Sequence, residues 1–219
     1  MVLVLRDKRR ANLRRFGGEE PATPSIWSVA TLLLVTICAG VPLLGLRADL
    51  IGYDAFSIWT LHAAFFYGGH HLLVSDLKDA AYAFSNPDYP PLIPATGALG
   101  YRMAGHVDYR VAVAITAALN AASMGLLGCG VANMWRRLES FEARLVAVVG
   151  GSVLCIAGFG IAGQYGVDGY ADLLWSAAAT TAVVYGLVSP RSTANLFTAV
   201  VTATAAALTK NEGLIASVI

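Results

Sequence analysis

The sequence predicts an all-α, polytopic transmembrane helix bundle of about five spans plus a partial sixth, with interfacial helices in a large first extracytoplasmic loop. Three observations predict it. The 219 residues are 57% apolar with a mean hydropathy of +0.62, and only 13% are charged, about half the share of a soluble domain. The apolar residues run in long blocks instead of alternating, which suits helices in lipid and not half-buried strands. Polar interruptions leave blocks near the roughly 17–25 residues that cross about 30 Å of hydrocarbon.

The chain opens on a basic tail, 1–25, in which "RDKRRANLRR" carries six basic residues. The apolar stretch 26–46 follows. Its 21 residues exceed the apolar core of a signal peptide, and no clean small-x-small cleavage site comes after it. It reads as a first span with the tail in the cytoplasm. Residues 47–107 are the polar region, and residues 26–219 together make one transmembrane domain. "YDAFSIWTLHAAFFYGG" has polar residues at helical intervals and carries Trp59, Phe65, Phe66 and Tyr67, rings favoured at membrane interfaces. It predicts a helix on the outer leaflet, ended by Gly68-Gly69. "SDLKDAAYAF" predicts a second short helix with Ser75 as N-cap. In "SNPDYPPLIP", Ser85 to Pro94, four prolines with Asn and Asp cannot continue a span. They predict a corner, with Pro90 and Pro91 in the first turn of a following helix. That helix, 91–105, is too short to span and suits an interfacial or re-entrant position. Spans are predicted at 109–134, 145–164, 169–188 and 194–209. "LIASVI" then starts another apolar segment, which predicts either a piece of a longer protein or a vestigial last segment.

Charge placement orients the bundle. With 91–105 not spanning, ten of the fifteen Lys and Arg residues fall on the cytoplasmic side: the tail, Arg136, Arg137, Arg144 and Arg191. With 91–105 spanning, the bias nearly vanishes, so the positive-inside rule selects the first topology. Nine of fourteen acids then share the outer side: Asp49, Asp54, Asp76, Asp79, Asp88, Asp108, Asp168, Asp172 and Glu212.

Other classes are excluded by what the chain carries. A net charge of +1 with no basic stripe excludes a nucleic-acid partner. Cys38, Cys129 and Cys155 all sit in apolar blocks and read as small buried hydrophobes. "GFGIAG", Gly158 to Gly163, matches a dinucleotide fingerprint in letters only. No strand precedes it, and small residues in a span serve close helix packing.

The candidate site residues each have a plainer reading beside a functional one. Asp54 in "GYDAFSIW" is either a helix N-terminal acid or a carboxylate beside a surface cleft. Asp168 and Asp172 stand i, i+4 and are expected to share a helix face at the outer end of the fourth span. They are a cap and a solvated acid, or a pathway or site. Lys210 and Glu212 in "LTKNEGL" are a polar interhelical turn or a paired functional group. Lys78 and Arg102 are solvated surface charges or phosphate contacts. His70-His71 is weak evidence for a metal, because adjacent side chains point apart; no metal site is expected.

Taken in order and on one side, "YDAFSIWTLHAAFFY", "NPDYPPLIP", "GVDGYADLLWSA" and "LTKNEGL" resemble the N-terminal half of bacterial integral-membrane glycosyltransferases of the GT-C type. That group includes the protein-mannosyl, aminoarabinose and arabinosyl transferases that use polyprenyl-phosphate sugars. The resemblance runs from about Ile26 onward. It implies a GT-C-like fold in the bacterial inner membrane and an inverting transfer of a hexose or pentose to an acceptor hydroxyl at the outer face. The donor partner would be a polyprenyl-phosphate sugar in the lipid bilayer, and the acceptor is open. The family's acid after the first span corresponds to Asp54, which would be the general base. Many relatives carry two adjacent acids there, where this chain has "YDA". The corner containing Tyr89 matches the family's "H/N-P-x-Y-P" pattern and would wall the cleft. Lys210, then Lys78, then Arg102 would meet the phosphate charge. Asp168 and Asp172 would orient sugar hydroxyls or hold a divalent cation, and Glu212 would contact the substrate. Relatives are longer, so a C-terminal half or a partner subunit is expected to complete the site. The alternatives are a non-catalytic fragment or assembly partner, and a small transporter subunit using Asp172 and Lys210. The latter lacks a convincing internal repeat.

Overall fold

In the computed structural model the described residues are 26–40, 43, 52–69, 75–135, 140–142, 145, 149, 169–188 and 192–218. Among them the regular structure is all helical and no strand occurs. The α-helices are α1 (Ile26–Gly40), α2 (Leu61–Gly69), α3 (Leu92–Ala104), α4 (Tyr109–Trp135), α5 (Asp172–Val188), α6 (Thr193–Thr209) and α7 (Asn211–Val218). Ala55–Thr60 forms a π turn that runs directly into α2, and Ser75–Lys78 and Ala80–Ser85 are 3₁₀ turns.

Helix α4 is long and apolar enough to cross a membrane over Tyr109–Met134. Its 27 residues measure about 40 Å at 1.5 Å per residue. Ala30–Gly40 and Thr193–Thr209 are shorter apolar helices. The expected 26–46 span appears as a helix ending at Gly40, and the 169–188 span begins three residues later, at Asp172. The expected span 145–164 lies almost wholly outside the described residues.

Small residues set the helix directions. Gly125 lies against Ala39 and Gly128 against Val35, so α1 and α4 are antiparallel. Gly169 lies against Val113 while Gly130 lies against Val184 and Tyr185, so α4 and α5 are parallel neighbours. Trp135 therefore stands at one end of the bundle and Asp172 at the other. Helix α6 returns antiparallel to α5, which brings Lys210 back to Asp172. The N-terminal ends of α4 and α5 and the C-terminal end of α6 thus lie at a common end.

Four buried threonine hydroxyls are satisfied within their own helices. Thr116, Thr181, Thr202 and Thr209 each donate to the carbonyl four residues earlier. That arrangement lets a polar side chain sit in an apolar bundle without a partner helix.

The first-loop segments differ from expectation in instructive ways. The expected leaflet helix is a packed one: Ala55, Ile58, Trp59, His62, Ala63 and Phe66 are all buried. Ala63 fits against Gly97 of α3, where the missing side chain allows close approach. "SDLKDAAYAF" forms two 3₁₀ turns in place of one helix, and the N-cap is Asp79, whose carboxylate accepts from the Ala81 N–H at 2.8 Å. Ser75 merely opens the first turn. Pro91 occupies the N-cap of α3, one position ahead of the expected first turn. Thirteen residues long, α3 spans about 20 Å. It packs on the start of α4, with Gly97 against Ala112 and Gly100 against Val111 and Ile115.

At the far end, Gly213 in α7 is held so close to the Ala206 carbonyl that no Cβ fits. Because the obstacle is backbone, it cannot swing aside. Gly213→Ala is expected to destabilise the protein by about 1–3 kcal/mol through overpacking, read as a lower midpoint of thermal unfolding in detergent micelles.

Candidate functional site

The site starts from the chain's wish to bury aromatic rings while keeping charges at helix ends. The corner 86–91 follows Ser85, with Asn86 in the left-handed region (φ 50°), a conformation Asn tolerates. It delivers Tyr89 face to face onto Trp59, centroids 5.4 Å apart and planes 12° from parallel. Trp59 is buried by Ile58, Ile93, Ala171 and Leu174. The Tyr89 ring also meets the Lys210 ammonium, 5.7 Å from its centroid, within cation–π reach.

Lys210 is an extended residue between α6 and α7. Its Nζ donates to Asp172 Oδ1 at 2.8 Å and lies 3.8 Å from Glu212 Oε1. Its side chain is 13% exposed, against 42% for Asp172 and 49% for Glu212, so the cation is largely shielded and its partners reach water. Burial works against its charge, but the hydrogen bond and charge of Asp172, then the charges of Glu212 and Tyr89, prevail and raise its pKa. Burial also raises the Tyr89 phenol; Lys210 opposes that, while Glu212, Asp172 and Asp54 add to it. Asp54 is thus within electrostatic reach of the same ring. It precedes the π turn, and its carboxylate caps no N–H.

A turn sets Asp172 in place. Gly169 has φ +84°, where a side chain would be strained, and a Cβ there would also crowd Ala55 and Val113. Helix α5 starts only at Asp172, after the Gly169 turn. Asp168 itself lies outside the described residues, as does the His70-His71 pair.

The structure therefore gathers Asp54, Tyr89, Asp172, Lys210 and Glu212. It leaves Lys78 exposed at the end of a 3₁₀ turn and Arg102 exposed in the last turn of α3, and neither is among the charges acting on Tyr89. Among the described residues no three His, Cys, Asp or Glu side chains form a metal-holding group.

One support was not legible in the sequence. His62 and Ser85, both buried, are joined Nε2 to Oγ at 3.1 Å. Ser85 spends its own proton on the Tyr82 carbonyl at 2.7 Å, so the imidazole N–H is the donor. Burial lowers the His62 pKa, with the Ser85 backbone opposing, and the ring ties the corner to α2. Twenty-three residues separate the pair, and no local pattern announces it.

Fold and site define an all-helical protein with a charged, aromatic-backed cluster at one end of an apolar bundle. No family model, no curated protein and no solved structure matches the chain.

Proposed function

We propose that the chain is a membrane glycosyltransferase, or the N-terminal part of one. It would take a sugar from a polyprenyl-phosphate donor to an acceptor hydroxyl at the outer face of a bacterial inner membrane, in a polytopic GT-C-like bundle. The observation that carries this reading is the convergence of Asp54, Tyr89 and Lys210 at one end of an apolar bundle. A lipid-phosphate sugar presents its reacting carbon at such a place. Exposed apolar residues on α1 (Leu32, Leu33) and α6 (Phe197, Val200) support a lipid setting, because soluble monomers rarely show large contiguous apolar patches. The parallel run of α4 and α5 is what a further crossing between them would produce.

The chemistry divides by residue. Asp54 accepts the acceptor's proton as the hydroxyl attacks the anomeric carbon. Lys210 meets charge growing on the departing phosphate. An ammonium has three donors, and the hydrogen bond to Asp172 uses one, so phosphate can be met without breaking the pair. Asp172 and Glu212 hold the ammonium in place and offer acceptors to sugar hydroxyls. Tyr89 and Trp59 wall the cleft. Lys78 and Arg102 have no part in the step. Charges at the ends of α5 and α6, instead of mid-helix, favour this reading over the transport one.

The test is reconstitution of the full chain in liposomes with labelled polyprenyl-phosphate hexoses and pentoses and a hydroxyl acceptor. Release of polyprenyl phosphate together with labelled acceptor is expected. If none of these donors is bound or consumed, the reading falls.

A further inference from the structure

We infer that helix α3 is a lipid-binding element. Its outward face, Leu92, Ala95, Thr96, Leu99 and Met103, is immersed among the acyl chains of one leaflet, and Arg102 stands in the phosphate layer.

The helix reads "LIPATGALGYRMA". At about 100° per residue, Ile93, Gly97, Gly100 and Tyr101 fall on one side, and all four are buried. The five residues of the outward face fall on the other. Leu99 and Met103 are 59% and 83% exposed, and Leu92, Ala95 and Thr96 are half-buried. Thr96 is the polar member of that face. Its hydroxyl donates to the Leu92 and Ile93 carbonyls at 3.0 and 2.9 Å, so its polarity is spent inside the helix. Arg102, in the last turn, is the one charged residue of α3.

A helix apolar around its whole circumference is enclosed by protein or by lipid. A helix resting on a membrane surface turns a charged face to water, and α3 has no such face. At about 20 Å it is too short to cross, so its outward face places it within the leaflet instead of on it. Packing agrees. The inner face lies on Val111, Ala112 and Ile115, in the first two turns of α4, and α4 is long and apolar enough to cross a membrane. The layer that surrounds the start of α4 therefore surrounds α3 as well. Charge complementarity sets the depth. Arg102 and Arg110 are both exposed around the junction of the two helices. A guanidinium is suited to phosphate oxygens, and its stem can stay in the apolar layer while its head reaches the headgroups. The immersion requires a membrane and does not depend on sugar transfer.

The experiment uses the full chain with Cys38, Cys129 and Cys155 replaced by Ala, in vesicles of equal parts phosphatidylcholine and phosphatidylglycerol. Leu99→Cys, Met103→Cys, Lys78→Cys and Ala122→Cys each carry a nitrobenzoxadiazole label. Lys78, exposed on a 3₁₀ turn, is the water reference, and Ala122, exposed midway along α4, is the span reference. The labels at 99 and 103 are expected to be quenched several-fold more than that at 78 by phosphatidylcholine with a doxyl group high on its acyl chain. Aqueous iodide is expected to quench them several-fold less. Labels as open to iodide as that at 78 overturn the proposal. Labels shielded from both quenchers overturn it too, because another protein segment or a second copy then covers the face. Lipid quenching at 122 without quenching at 99 and 103 removes the immersion of α3 and leaves the membrane setting; quenching at none of the three removes both. A label on Arg102→Cys is expected to respond most to a spin label on the lipid headgroup. A stronger response to a deep doxyl group removes Arg102 from the phosphate layer.

Discussion

Asp54→Asn is expected to lower sugar transfer by about 10²–10⁴-fold, the range for loss of a general base, while the protein inserts and folds as before. The separation between activity and stability comes from what Asp54 does not do. Its carboxylate stands at the start of a helical run yet accepts no capping hydrogen bond, unlike Asp79 and Asp108, which accept from Ala81 and Arg110 N–H groups. Asn has nearly the same shape, so the neighbouring Ala55 keeps its place against Gly169, and the stability change is expected within about 0.5 kcal/mol. What Asn lacks is the ability to take a proton. Liposome transfer assays and thermal unfolding on the same preparation check both halves. Normal turnover in the Asn variant removes Asp54 from the role of base.

Much of the architecture could be read from block lengths. The long apolar run after Tyr109, the break at the proline corner and the polar turn at Lys210 each appear where composition puts them, because a missing backbone donor or an unpaired charge cannot be hidden in an apolar helix. Turn chemistry was less legible. "SDLKDAAYAF" has the composition of a short α-helix, but Asp79 competes as a cap in its middle and splits it. Nor does a spacing reveal that Gly169, just ahead of α5, takes a positive φ. In the site, Asp54, Asp172, Lys210 and Glu212 could be found as charges beside apolar runs. Their meeting around Tyr89 depends on helix directions that small residues such as Gly125, Gly128 and Gly130 set through contact. The π turn and the His62–Ser85 bond were invisible for the same reason: both are fixed by packing, not by neighbours in sequence.

Asp172→Asn is expected to destabilise the protein by about 1–3 kcal/mol, more than Lys210→Met does. Removing one partner of a buried pair costs about 3–5 kcal/mol when the survivor is fully enclosed, and the water reaching Asp172 at 42% exposure reduces that. The order follows from which charge is left behind. Without Asp172 the ammonium stays at 13% exposure with Glu212 at 3.8 Å. Without Lys210 the carboxylate simply turns to water. The double variant should lie near Lys210→Met alone, a non-additivity that marks direct coupling. The pH dependence fixes the sign independently. The pKa of Lys210 in the folded protein lies above its ordinary value of 10.5, so the pair's contribution is complete below that value and is lost as pH rises through the higher folded one. In Asp172→Asn burial, the largest influence on Lys210, loses its main opponent. The folded pKa then falls, and this group's contribution grows as pH rises instead of shrinking. Tyr89, also raised, loses stability at high pH in both proteins, so the quantity to follow is the difference between them. That difference, measured as unfolding midpoints in detergent from neutral pH to above 10.5, is expected to narrow with rising pH. A constant gap would mean that Asp172 acts through packing and not through the charge of Lys210.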